Sequence, residues 1–169
     1  MDREGPTREQ EIPYAFPGRM PIADATERVE TIESGEHSGI VVTIAGRLML
    51  LRRQGKVVFG DLRDSSGAVQ LFANANVTER FEEFPELSLG DWIGVSGEIM
   101  RTRRGELSVE VKSWELLAQA KRGFGDKWRG ISDPDIRYRQ RYVDVWANPE
   151  VRTIFLRRSK IVAETRRYL

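Results

Sequence analysis

The stretch KVVFGDLRDSSGAVQLF, Lys56–Phe72, reads as two β-strands around a turn, and its register decides the fold. Successive strand residues point to opposite faces, so Val58 and Leu62, with Gly60 between them, define the buried face. Phe59 then falls with Asp61 and Arg63 on the polar side, an unusual place for a large aromatic. The turn Asp64-Ser65-Ser66-Gly67 predicts a hairpin closed by Arg63 opposite Ala68. In that register Leu62 faces Val69 and Gly60 faces Leu71 on the inside, whereas Asp61 faces Gln70 and Phe59 faces Phe72 on the outside. Gln70 becomes the diagonal neighbour of Phe59. A slip of one residue would bury Gln70 and expose Val69 and Leu71, so the apolar pattern itself selects the pairing.

Working outward, IVVTIAGRLML (Ile40–Leu50) places Ile40, Val42, Ile44 and Leu48 on one face, interrupted by Gly46, and Arg53-Gln54-Gly55 predicts the next turn. Downstream, Asn76 and Glu79 have the spacing of a capping box, and Val77, Phe81 and Phe84 recur at helical spacing until Pro85 ends the helix. Two further strands follow, DWIGVSGEIM with Ile93, Val95 and Ile99 inward, and ELSVEVKSWEL with Leu107, Val109 and Val111 inward. Arg103-Arg104-Gly105 turns between them. Three strands, a short helix and two strands predict a mainly β fold, a five-stranded Greek-key barrel of the OB type followed by C-terminal helices. Such barrels often bind oligonucleotides across strands two and three, although a fold alone does not determine a function.

The expected organisation is an irregular to helical segment over 1–39, the barrel over 40–120, and a linker with helices over 121–169. Net charge sharpens this division, at −5, −1 and +7 for the three parts. In the last part, Asp133-Pro134 and Asn148-Pro149-Glu150 are helix-start signatures. The second of these helices carries Val151, Ile154, Phe155, Ile161, Val162, Thr165 and Tyr168 as an apolar stripe that runs to Leu169 without a Gly or Pro stop. A stripe of that length needs a partner surface, so the chain reads as one piece of a larger protein.

The 169 residues are 40% hydrophobic and 31% charged, which suits a packed core and argues against residence in a membrane. The charged N-terminus MDREGPTREQE has no apolar signal-peptide core, and the absence of cysteine excludes disulfides and thiolate metal sites; both suit a cytoplasmic protein. His37, the single histidine, sits in the turn-like SGEHSG and reads as a solvated loop residue, so no metal site is expected.

A flat ring beside an amide on the exposed face of strands two and three is what base recognition requires. The ring stacks on a base, and the amide, with a donor and an acceptor, reads a Watson–Crick edge. The competing reading buries Phe59 and Phe72 under the N-terminal segment as a satellite cluster.

The segments AGRLMLLRRQGKVVFGDLRDSSGAVQLF, LGDWIGVSGEI, TRRGELSVEV and DKWRGISDPDIRYRQRYVD, followed by NPEVR and RSKIV, resemble the N-terminal part of bacterial class II lysyl-tRNA synthetases. The resemblance covers roughly Val42 to Leu169. It implies an anticodon-binding barrel for lysine tRNA, with Phe59 stacking on the central uridine, Gln70 hydrogen-bonding it, and Glu106 touching the anticodon from the GELS turn. It also implies an arginine near the end of strand one, either Arg52 or Arg53, with Arg47 a weaker candidate. Asp61 departs from the neutral residue usual in that family, and a carboxylate there repels a phosphate unless it accepts from a base or holds the glutamine.

For the full-length family the resemblance implies ATP, magnesium, a homodimer and a separate catalytic domain. The chain itself shows no nucleophile, paired carboxylates or glycine-rich phosphate loop, and Arg157, Arg158, Arg166 and Arg167 read as a solvated helix face. No catalytic residue or cofactor site is therefore expected in it, and it should not charge tRNA alone. Two other readings remain open at this point: a freestanding OB module for single-stranded nucleic acid, or an interaction protein docking on a full-length synthetase.

Overall fold

The structure, a computed structural model, describes Pro13 and residues 15–29, 32–121 and 131–169. Most of the N-terminal segment and the DKWRG of the linker, Asp126–Gly130, lie outside the described residues. Two compact units are present, Met1–Gly123 and Phe124–Leu169.

In the first unit, strands β1 (His37–Gln54), β2 (Val57–Arg63), β3 (Ala68–Asn74), β4 (Trp92–Arg101) and β5 (Leu107–Ala118) close a barrel in the order β1-β2-β3-β5-β4. The long β1 pairs with β4 through its first half and with β2 through its second. Gly46 sits where those halves meet, and a Cβ there would lie 2.6 Å from the Arg63 carbonyl oxygen, so only glycine admits β2 so close. Between Leu48 and Leu50 the register shifts, which lets β1 bend around the barrel.

The β2–β3 register is the one the apolar pattern predicts: Leu62 pairs with Val69, Gly60 with Leu71, Asp61 with Gln70 and Phe59 with Phe72. Val42, Ile44, Leu48, Val58, Leu62, Leu71, Ile93, Val95, Ile99, Val109 and Val111 fill the interior. Fully burying each such side chain stabilises by about 1.5–3 kcal/mol, before the entropy of ordering it is subtracted. Helix α1 (Ile22–Glu27) covers the end bearing the 64–67 turn, with Ile22 and Ala25 buried. Asp64 ties it there, accepting from the Ile22 N–H at 3.0 Å as well as from the Ser66 and Gly67 N–H groups of its own turn. Burial pushes the Asp64 carboxyl up, but these donors outweigh it and hold it below the ordinary range.

Four expectations are corrected. The capping box at Asn76 and Glu79 does not form. Asn74 Oδ1 takes the Asn76 N–H, and the Thr78 hydroxyl is drawn inward to donate to the Val111 carbonyl at 2.7 Å. Arg80 adopts a left-handed φ of 51°, so only a 3-10 helix follows (Phe81–Glu86), with Pro85 inside it and Val77 exposed. Phe81 and Phe84 nevertheless plug the second barrel end, where Phe84 meets the Trp114 ring edge-on at 5.5 Å. The turn after β1 falls at Gly55-Lys56, because pairing with β2 continues to Gln54. His37 opens β1 instead of lying in a loop, its Nδ1 3.7 Å from both Glu98 and Glu110.

In the second unit, α2 (Pro134–Arg139), α3 (Arg141–Ala147) and α4 (Pro149–Tyr168) follow in sequence. Asp133 caps α2 as expected, accepting from the Asp135 and Ile136 N–H groups. The fourth correction concerns Asn148, which does not cap α4 with its side chain. Its amide is engaged by the Ile131 backbone and by Asp144, which leaves nothing to cap with. Among the residues of α4 whose burial is described only Val151 is buried, while Ile154, Phe155, Ile161 and Tyr168 of the apolar stripe stay exposed. Among the described residues no helix is long and apolar enough to cross a membrane.

Candidate nucleic-acid interface

Barrel closure aligns two rows of residues across the outer face. One runs from Arg52 on β1 through Phe59 and Phe72 to Glu110 and Glu98 on β5 and β4. The other runs from Leu50 through Asp61 and Gln70 to Ser108. Phe59 and Phe72 are half-buried and meet edge-to-face, with centroids 5.4 Å apart. Beside them lies a groove of about 480 Å³ walled by Arg52, Asp61, Arg63, Gln70 and Glu106, with Thr26 of α1 at its margin.

The sequence candidates are thus sorted by geometry. Gln70, Glu106 and Arg52 share the groove, and Phe59 stands directly opposite Arg52 and diagonal to Gln70. Arg53 belongs to the next register position, opposite Val58, and its guanidinium reaches Glu82 at 3.5 Å at the barrel end. Arg47 lies apart, stacked over the Trp92 ring at 5.4 Å with its pKa lowered by burial. The structure brings four candidates together and separates Arg53 and Arg47 from them.

Two further side chains join the site. Arg63 follows Phe59 and Asp61 by simple alternation, a signal present in the sequence. Ser108, fully buried, donates its hydroxyl to Gln70 Oε1 at 2.9 Å. Alternation against Leu107 and Val109 places Ser108 outward, but only the parallel β3–β5 pairing brings it beside Gln70. Asp61 does not hold the glutamine. Among the described residues no hydrogen bond or ion pair engages the side chains of Arg52, Asp61, Arg63 or Glu106, so two cationic and two anionic groups are available to a ligand.

At the far end of the aromatic row the charge is negative. Glu98 and Glu110 pair directly across β4 and β5. The Lys112 ammonium donates to Glu98 at 3.2 Å and, against some burial, holds its carboxyl below the ordinary range.

An aromatic row and a polar groove on strands two and three of a closed five-stranded barrel coincide with a family match. Residues 42–117 fit the tRNA anticodon family model, described as an OB-fold nucleic acid binding domain. This stretch belongs to the anticodon-binding OB-fold family. The OB domain lies within a longer similarity to lysine–tRNA ligases. The chain is 46% identical to that of Clostridium perfringens (strain 13 / Type A) over 149 residues, 87% of this chain and 29% of the relative. It is 45% identical to that of Xylella fastidiosa (strain 9a5c) over 150 residues, 88% of this chain and 30% of the relative. It is 39% identical to that of Synechococcus sp. (strain RCC307) over 163 residues, 94% of this chain and 32% of the relative. The chain therefore spans less than a third of the length of these relatives, and corresponds to their N-terminal part.

Proposed function

We propose that this chain binds the anticodon loop of a lysine tRNA, as the N-terminal part of a lysine–tRNA ligase. The observation that carries the reading is Phe59 set between Arg52 and Gln70 on the outer face of an anticodon-binding OB domain. Phe59 stacks on a base, Gln70 and Glu106 address base edges, and Arg52 and Arg63 receive phosphate. The acidic Glu98–Glu110 end repels phosphate and so directs the strand toward the arginine side. The whole protein would join lysine to its tRNA with ATP and magnesium, as a cytoplasmic homodimer. The domain limits we propose are 40–120 for the OB domain and 121–169 for the start of the catalytic part.

Phe59→Ala should weaken binding of a lysine anticodon stem-loop by about 1–3 kcal/mol, the worth of one base–aromatic stack. Fluorescence titration of the full chain measures it. Equal affinity for stem-loops of every anticodon, unchanged by Phe59→Ala, would remove the anticodon assignment.

Asp61→Asn should act in the opposite direction. It removes an unpaired negative charge from a groove that receives a polyanion, so affinity should rise by about 0.5–1 kcal/mol at low salt. The gain should shrink as salt is added. A loss of affinity on Asp61→Asn, independent of salt, would instead show the carboxylate accepting a hydrogen bond from a base.

A further inference from the structure

His37 is the only histidine in the chain, and imidazole is the side chain that ordinarily changes its charge between about pH 5 and 8. It opens β1 opposite Met100 of β4. Its Nδ1 lies 3.7 Å from Glu98 Oε1 and equally far from Glu110 Oε2. The imidazole is 44% exposed, whereas the two carboxylate side chains keep only 18% and 12% of their surface. Glu98 has a cation of its own in Lys112 and also accepts from the Gly39 N–H at 3.0 Å. Among the described residues Glu110 has no charged partner except His37. The other charges beside His37 are Glu36, which precedes it, and Arg101 of β4, whose guanidinium donates to the Ile32 and Gly105 carbonyls. The group of His37, Glu98, Glu110 and Lys112 is thus net negative with a neutral imidazole, and protonation of that one ring cancels the excess.

We propose that His37 is a proton-linked switch on RNA binding, taking up a proton when a polyanion lies along the aromatic row and so strengthening the hold of the barrel as pH falls. The inference rests on the anticodon reading above and adds a regulation to it. Glu110 pairs with Phe72, which pairs with Phe59, so the cluster begins two strand spacings from the stacking ring. That is about 10 Å, comparable to the Debye length in physiological salt, and phosphates on either side of a stacked base still feel the charge. With imidazole neutral, the unbalanced carboxylate repels them. With imidazolium in place the repulsion is gone. Linkage requires the reverse as well: bound RNA must favour the protonated ring to the same degree.

The test titrates the full chain with a lysine anticodon stem-loop at about pH 6 and pH 8, at constant ionic strength. The wild type should bind about two- to threefold tighter at the lower pH, the size expected for one charge at this separation. His37→Gln should bind alike at both, near the weaker wild-type value. A second readout follows the imidazole itself, since a single histidine gives one unambiguous ring resonance in NMR. Its titration midpoint should move to higher pH when the stem-loop is added. Wild-type affinity that ignores pH, a pH dependence that persists in His37→Gln, or a midpoint unmoved by bound RNA each overturns the proposal while the anticodon reading stands. If the stem-loop binds at neither pH and Phe59→Ala changes nothing, the anticodon reading falls and the proposal falls with it.

Discussion

Gly97→Ala should open the barrel, lowering stability by about 3 kcal/mol or more, at or beyond the upper end of ordinary overpacking. Gly97 lies on β4 at a register shift against β5, and it also pairs with Val42 of β1. A Cβ there would stand 2.1 Å from the Glu110 carbonyl oxygen and 2.9 Å from Val109 Cγ1. Neither neighbour is the free end of a flexible side chain, so the strands themselves must part. Because a domain of this size is stable by only about 5–15 kcal/mol, such a loss is a large share of the total. Urea unfolding followed by tryptophan fluorescence reads it, since Trp114 is buried against Phe84 in the barrel. An unchanged midpoint would mean that the β4–β5 gap accommodates a methyl group and that the close approach does not constrain the fold.

Asp144→Ala should have the largest effect in the second unit, loosening α2, α3 and the start of α4 at a cost of about 2–4 kcal/mol. The Asp144 carboxylate is fully buried, accepting from Arg137 Nε at 2.9 Å, Arg141 Nη1 at 2.5 Å and Asn148 Nδ2 at 2.6 Å. Asn148 in turn makes a reciprocal pair of hydrogen bonds with the Ile131 backbone. One side chain therefore joins three helices to the segment that precedes them. Both arginines keep partial access to water, which places the cost toward the low end for a broken buried ion pair.

The same group sets an acid limit. Burial raises the Asp144 pKa, but hydrogen bonds from Asn148 and Arg137 and the charges of Arg137 and Arg141 outweigh it, so the folded value is depressed. A depressed carboxylate contributes stability that is present above its unfolded pKa, about 3.9, and disappears as pH falls through the folded value. The protection of amides over 131–152 against hydrogen exchange, relative to the intrinsic rate at each pH, should thus be high at neutral pH and fall in acid. Asp144→Ala should abolish that acid dependence. A variant as protected as the wild type at neutral pH would show that helix packing, not the carboxylate, holds the unit together.

The inner face of the barrel was legible because strand alternation is local and one-directional in its consequences. Shifting Leu62, Val69 and Leu71 by a single place would exchange a buried set for a charged one, so residues 56–72 admit one register. The same logic set Phe59 beside Gln70. It failed at 74–80, where Thr78 is pulled toward Val111 on a distant strand and Arg80 turns left-handed, neither of which a helical spacing of Phe81 and Phe84 encodes. It failed again at Asn148, whose side chain is claimed by Asp144 and Ile131.

What alternation left undecided was the choice between Arg52 and Arg53. Carried unbroken from Ile44 and Leu48, the inward face of β1 would include Arg52 and leave Arg53 on the outside with Phe59. The register shift between Leu48 and Leu50 reverses that phase, bringing Arg52 opposite Phe59 and Arg53 opposite Val58. A bulge costs little locally and is selected by the need of one strand to bend and serve both β2 and β4, which is a property of the closed barrel. Closure likewise sets β5 parallel to β3 and brings Ser108 to Gln70 from 38 residues away. The local hydrophobic pattern thus determined which residues face outward on each strand, and the long-range closure of the barrel decided which of them meet.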